Sequence, residues 1–225
     1  MAKISKTVHK TSEDKLLHYY YKVTEYYENN KKVVYRIFGV IVLIIAALIF
    51  YLRYQADKSE KATSELAKVK QYYNSGLYSI AINGDSLGTS RGLFYIVDNY
   101  GSTKSGQEAK IMLANSYYFL RDFDNALKYY ESYSGSDDIL KAAAIAGEAA
   151  VYEAKKDYEK AANLFIKASK ISKDNTFNDE YLYNAIRCLY FAGKKDKQKD
   201  LVDELKQDYP KSKYLSFLQR YYEGD

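Results

Sequence analysis

Hydrophobic positions follow three regimes along the chain. Ile37 to Leu52 reads IFGVIVLIIAALIFYL, sixteen residues without a charge, and Val33 to Arg36 extends the stretch to twenty. At 1.5 Å rise per residue, twenty residues span about 30 Å, the thickness of a hydrocarbon core. The spacing therefore predicts a membrane-spanning helix over residues 33–54. Upstream, Leu16, Tyr20, Val23 and Tyr27 recur at helical spacing behind Ser12, a candidate N-cap, so Thr11 to Tyr27 is expected to be an amphipathic helix within an N-terminal tail, 1–32. Such a helix suits a membrane surface, a partner helix, or a plain continuation of the span. Downstream, residues 55–225 alternate helical-period apolar stripes with short polar breaks.

The ends of the apolar run suit an interface. Arg36 lies one turn inside, where its stem runs along the helix toward the headgroups, and Tyr51, Arg53 and Tyr54 sit where interfacial aromatics and cations belong. A cleaved signal peptide would begin within the first few residues and end at small residues; this run begins at Ile37 and ends in Tyr51, Leu52, Arg53 and Tyr54. The tail carries seven lysines, whereas Lys22, Lys31, Lys32 and Arg36 before the span are nearly matched by Arg53, Lys58 and Lys61 after it. The expectation is a cytoplasmic N-terminus with the long domain across the membrane.

Beyond Arg53 the sequence repeats. Tyr117, Phe123, Ala126 and Tyr130 return 35 residues later as Tyr152, Tyr158, Ala161 and Phe165. Leu189, Gly193, Val202 and Leu205 keep the register more loosely about 37 residues on, and Tyr72, Gly76, Tyr78 and Ala81 precede the first set by 45. The surplus of about ten falls in the Gly/Ser/Asp-rich stretch Asn83 to Gly92. A helix-turn-helix unit of about 34 residues fits these spacings. Small Ala126 and Ala161 let paired helices approach, Tyr130 and Phe165 fill the space toward the next unit, and the units stack as a solenoid because each leaves an apolar face for its neighbour. Ser105 with Glu108 reads as a capping box before a helix Ala109 to Leu120; Asp122 and Asp157 read as caps of second helices; Ser212 to Tyr222, with Tyr214, Leu218 and Tyr221 on one face, reads as the capping segment.

Composition removes several function classes. With one proline and 11 glycines, long helices are permitted. Residues 53–225 carry 26 Lys or Arg against 25 acids, which leaves no basic stripe for nucleic acid. Both histidines, His9 and His18, precede the span, and Cys188 is alone, so no metal site, no cofactor and no catalytic residues are expected. Gly101 to Gly106 reads GSTKSG, but Gln107 and Glu108 stand where a phosphate loop needs Lys and Ser or Thr, so an interhelical turn is expected. The pairs Asp122/Asp124 and Asp137/Asp138 read as helix-start acids, and Lys194, Lys195, Lys197 and Lys199 as a solvated loop, with an anionic-lipid contact as the lesser reading. The 27 tyrosines, with no tryptophan, read as general aromatic filler.

The units resemble tetratricopeptide repeats. The plan of a tail with acidic and aromatic residues (EDKLLHYYYKVTEYYENNKK), one span ending in YLRY and an irregular first repeat resembles the YfgM-like inner-membrane proteins, ancillary subunits of the SecYEG translocon. The stretches AINGD and GLFYIVDNYGSTKSGQEA look like tetratricopeptide membrane proteins common in Bacteroidetes and related bacteria. In this sequence Gln198 stands where a small residue is expected and Glu148 where an apolar one is, so looser packing is expected at both.

The expected fold class is all-α: a single N-terminal transmembrane helix followed by a tetratricopeptide-repeat α-solenoid of three to four repeats over 55–225. The resemblance implies a periplasmic domain of an inner-membrane protein that meets translocated clients, periplasmic chaperones or the Sec translocon itself. In such a solenoid the first helices line the concave face, and the register puts Asn115, Tyr118, Glu153, Tyr183, Arg187 and Tyr190 there as partner-binding candidates. The other expected role is structural, an envelope-organising protein that self-associates through its repeats, and the oligomeric state stays open.

Overall fold

The computed structural model describes residues 12–222; Thr11 and His9 lie outside them. Among the described residues the chain is helical without strands. The first helix, α1 (Ser12–Asn74), has one non-helical residue, Asn30 (φ −126°, ψ 25°). There the Asn30 side-chain amide donates to the Tyr26 carbonyl at 3.0 Å, a local bond that competes with the helical ladder. The chain divides into two compact units, one up to Ala56 and one from Asp57. In the first, an 18-residue window reaches a mean hydropathy of 2.8 with none of it buried, so the helix is long and apolar enough to cross a membrane. Arg36, Tyr51, Arg53 and Tyr54 are all exposed along it.

The second unit is a run of helix pairs. The end of α1 is followed by α2 (Tyr78–Asn83) and α3 (Gly92–Tyr100); then come the pairs α4 (Lys104–Phe119) with α5 (Phe123–Glu131), α6 (Asp138–Ala154) with α7 (Tyr158–Ser169), and α8 (Asn178–Phe191) with α9 (Lys195–Asp208). Each helix packs on its partner and on the helix that follows, so the pairs stack in succession. A closing 3-10 helix, Lys213–Arg220, lies against α8 and α9 and is capped by the Ser212 hydroxyl.

One backbone turn joins the two helices of every pair. A residue with positive φ stands at Gly76 (72°), Arg121 (63°), Lys156 (65°) and Gly193 (69°). Its N–H and the next one donate back to the last helical turn, at 2.9 to 3.0 Å, onto the carbonyls of Tyr73 and Tyr72, Tyr118 and Tyr117, Glu153 and Tyr152, and Tyr190 and Leu189. This is the Schellman closure, which satisfies carbonyls that a helix end leaves unpaired. Five residues after the positive-φ position, Ala81, Ala126, Ala161 and Gln198 donate their N–H to the carbonyl of the residue that opens the second helix. The turns therefore fall at the 45, 35 and 37-residue offsets of the sequence repeat. Asp122 and Asp157 cap α5 and α7 by accepting from the N–H of Asn125 and Lys160.

Two features differ from expectation. The cap of α4 is Thr103, whose hydroxyl accepts from Gly106 N at 3.0 Å, so the helix starts before Ser105. Ser105 instead shares a 2.8 Å hydroxyl contact with Thr63 of α1. In addition, the second helix of the first pair is interrupted between Gly84 and Arg91. The interruption is pinched shut: a Cβ on Gly92 would lie 2.4 Å from Gly84 N, and one on Gly84 would lie 2.4 Å from Ser90 O. Inside it Asp85 accepts from the Thr89 hydroxyl, from the Tyr72 hydroxyl at 3.0 Å and from the N–H groups of Thr89 and Ser90. The Thr89 hydroxyl bond leads, burial works against it, and the remaining bonds add to it, holding the Asp85 carboxyl at about 2.

Candidate functional site

The first helices of the pairs run side by side and carry polar side chains along a shared edge. Asn115 of α4 donates to the Tyr73 hydroxyl of α1 at 2.9 Å and accepts from the Tyr130 hydroxyl of α5 at 2.5 Å. Arg187 of α8 donates to both carboxylate oxygens of Glu153 on α6, at 3.0 and 2.8 Å. Their side chains keep 26% and 21% exposure, so the pair is half-sunk yet reachable from solvent. Burial opposes the Arg187 charge, but the Glu153 bonds and field outweigh it and hold the guanidinium above its ordinary range.

Tyr118 lies half-buried beside this pair; burial first and the Glu153 charge second raise its hydroxyl, with Arg187 pulling the other way. Tyr190 is 49% exposed and packs edge-on to Phe191 at 5.4 Å. These four, Tyr118, Glu153, Arg187 and Tyr190, form a strip of candidates that keeps contact with solvent.

The other two expected partner-binding residues are placed differently. Tyr183 is buried, stacked on Tyr214 at 5.0 Å and walled by Phe217 and Tyr221, because the closing 3-10 helix covers that position. It is core. Asn115 has both ends of its amide taken by tyrosines, so it bonds three helices together rather than facing a ligand.

The residues expected to pack the repeats divide between two cores. Ala126 and Tyr130 are buried in the first, with Tyr117 and Phe123 against its edge; Ala161 and Phe165 are buried in the second, with Tyr152 and Tyr158 against it. Tyr117 stacks on Tyr129 at 5.6 Å. The Tyr130 ring occupies the space where a Cβ on Gly147 would stand, 2.2 Å from a ring carbon. Gln198 departs from the expected looseness: it is buried, and its amide donates to Tyr221 O at 2.8 Å, so a polar side chain clasps the closing segment. Glu148 stays half-buried, with burial and the nearby Glu131 raising its carboxyl.

Elsewhere the chain offers little reactive chemistry. Cys188 is buried, and its thiol is pushed up to about 12 by burial and the Glu153 charge, which keeps it protonated. No group of three metal-ligating side chains occurs among the described residues. The GSTKSG stretch is the turn from α3 into α4, and a Cβ on Gly106 would sit 1.9 Å from the Tyr100 carbonyl oxygen, so that glycine serves helix packing. An open cleft of about 590 Å³ beside it, lined by Thr103, Lys104 and Ser136, has Gln107 on its floor, bonded to Gly101 O and to Ser134.

Comparison with protein families matches residues 24–182 to the Tetratricopeptide repeat-like domain. The chain belongs to the tetratricopeptide repeat-like family. No curated protein and no solved structure matches it. The family match takes in the stretch before the apolar run and the pairs through α7, and it stops inside α8. Arg187, Tyr190, α9 and the 3-10 helix therefore lie beyond the matched residues. The match supports a protein-protein interaction role, the coarse reading that repeat spacing alone suggested.

Proposed function

We propose that the chain is a membrane-anchored adaptor with a chaperone-like role: α1 holds it in the inner membrane, and the repeat domain faces the periplasm and binds extended protein segments beside the Sec translocon. It performs no chemistry of its own. The observation that carries this reading is the strip of Tyr118, Glu153, Arg187 and Tyr190 along successive first helices of a tetratricopeptide array. Tyrosine and arginine suit such a role because they offer contact area and directed hydrogen bonds at limited entropic cost. The apolar window of α1 and the lysine-rich tail support the anchor and its orientation. Because Tyr183 is core, substitutions that test the strip leave it alone.

The test is photocrosslinking in intact cells from residue 118 or 187, with the adducts identified by mass spectrometry. Translocon subunits or unfolded envelope proteins as adducts are the expected outcome. Adducts consisting only of the chain itself would replace the adaptor reading with self-association through the repeats. Protease protection of spheroplasts tests sidedness: digestion of the domain from outside is expected, and its survival would overturn the orientation.

A further inference from the structure

The aromatic end of the repeat domain, beyond the residues the family match covers, differs from the central strip. Tyr190, Phe191 and Phe217 are 49%, 50% and 39% exposed. They are not scattered singly. Tyr221 joins Tyr190 and Phe191 with ring centroids 5.6 and 5.9 Å apart, and Tyr158 extends the patch beneath Phe191 at 5.2 Å. A contiguous exposed aromatic patch on a soluble surface marks an interaction site more often than a lone ring does.

Charge separates this end from the rest of the domain. Residues 183–225 carry nine lysines and arginines against seven acids, whereas 57–182 carry sixteen against eighteen. Of the cations along the domain, Lys155 is answered by Asp124, and within this last stretch Arg187 is answered by Glu153 and Lys194 by Glu159. At the end, Arg220 lies over Phe217 at 5.8 Å and Lys213 over Tyr214 at 5.0 Å, and neither meets a carboxylate among the described residues. Both are exposed.

We infer that this end is a docking surface for acidic protein segments that also carry aromatic or apolar side chains, their carboxylates meeting Lys213 and Arg220 while their rings lie on Tyr190, Phe191 and Phe217. The inference rests on the adaptor reading and names its partner chemistry. A basic segment would be repelled, and an uncharged one would desolvate two cations without answering them. A flat anionic membrane is disfavoured because α9 exposes Asp200 and Asp203 at the same end of the domain, which a broad surface would meet and a narrow segment would not.

The experiment uses the full chain in phosphatidylcholine nanodiscs and two labelled peptides, one alternating Glu with Phe and Tyr, the other with Lys at every Glu position. The acidic peptide is expected to bind at least about tenfold more tightly than its twin, and K213E with R220E to reverse that preference. Equal binding of the twins, or a preference that survives the charge reversal, overturns the proposal. Capture of the domain by phosphatidylglycerol vesicles without peptide binding also overturns it, in favour of a lipid contact. Y190S with F191S should weaken the acidic peptide about tenfold; if that variant fails to fold by thermal unfolding, the charge reversal at two exposed positions decides alone. Crosslinking from residue 217 separates this proposal from the adaptor reading. Adducts at 118 without any at 217 sink the docking surface and leave the adaptor, whereas none at either position sinks both.

Discussion

The two halves of the repeat domain build the same stacked helices but hold them together differently. In the first core, around Leu66, Leu93, Leu113 and Ala126, helices approach so closely that glycine is required, and the half-buried polar link across them is the neutral chain Tyr73–Asn115–Tyr130, with the ion pair Lys70–Glu108 further out at 2.7 Å. In the second, around Phe165, Leu182, Ile186 and Leu205, α8 and α9 have no glycine within them, and the polar links are the charged pair Glu153–Arg187 and the Gln198 clasp. Close backbone contact leaves no room for a charge and its hydration, so the inner link of the first half is neutral and its ion pair, Lys70 with Glu108, stays at the exposed surface. In the second half the link lies at an accessible edge, where a charge pair keeps part of its solvation. The half with the open edge is also the half that carries Arg187 and the exposed Tyr190.

The strongest way to break this contrast is at Gly106. A Cβ there would stand 1.9 Å from backbone oxygen, which no side-chain adjustment relieves. Gly106→Ala should cost about 3 kcal/mol in equilibrium urea unfolding, the upper part of the range for overpacking. A loss within experimental error would show that the α3–α4 approach is slack.

At the second seam, Arg187→Met leaves Glu153 half-buried without its partner. Removing one member of a fully buried pair costs about 3 to 5 kcal/mol; this pair retains a fifth to a quarter of its exposure, so about 2 kcal/mol is expected. Replacing both, Glu153→Leu with Arg187→Met, should restore most of the loss. In the first half, Tyr130→Phe removes the donor to Asn115 and leaves that acceptor unanswered, for about 1.5 kcal/mol. The two seams then separate by salt. Raising ionic strength to about 1 M shortens screening to about 3 Å and should shrink the Arg187→Met effect while leaving Tyr130→Phe unchanged. Equal salt response in both would remove the distinction between neutral and charged seams.

How far the sequence revealed this molecule depended on how local each cause is. The turns at Gly76, Arg121, Lys156 and Gly193 were legible as the 45, 35 and 37-residue offsets, because a Schellman closure and the small residue after it are set within about ten residues of chain. The pinched loop was legible as a surplus between Asn83 and Gly92. Side chains whose partners lie far along the chain were not. Tyr183 looked like an open first-helix position until Tyr214 and Phe217 folded over it, and Asn115 looked free until Tyr73, forty-two residues away, took its amide. Gln198 looked like a packing fault because its acceptor, the Tyr221 carbonyl, belongs to a segment whose docking no local pattern announces. Of the candidate strip, Tyr118, Glu153 and Arg187 are half-buried and Tyr190 is exposed, whereas Tyr183 is core and the Asn115 amide is taken at both ends.

The smallest expected effects sharpen the contrast by showing what the halves share. Each half contains one glycine turn and one turn forced on a side chain: Gly76 and Arg121 in the first, Lys156 and Gly193 in the second. A side chain in the left-handed region costs about 1 to 2 kcal/mol relative to glycine, partly offset because glycine has more freedom to lose from the unfolded chain. Arg121→Gly and Lys156→Gly should therefore each stabilise the domain by about 0.5 to 1 kcal/mol, and Gly193→Ala should destabilise it by about 1 kcal/mol; nothing lies within 4 Å of a Cβ built on Gly193, so that loss is conformational alone. If turn closure is a local property, Arg121→Gly and Lys156→Gly will agree within error despite the different seams beside them, and chemical denaturation of the two single variants measures this directly. A clear gain at one and none at the other would mean that the seam governs the turn, and the two halves would then differ in their backbone as well as in their side-chain links.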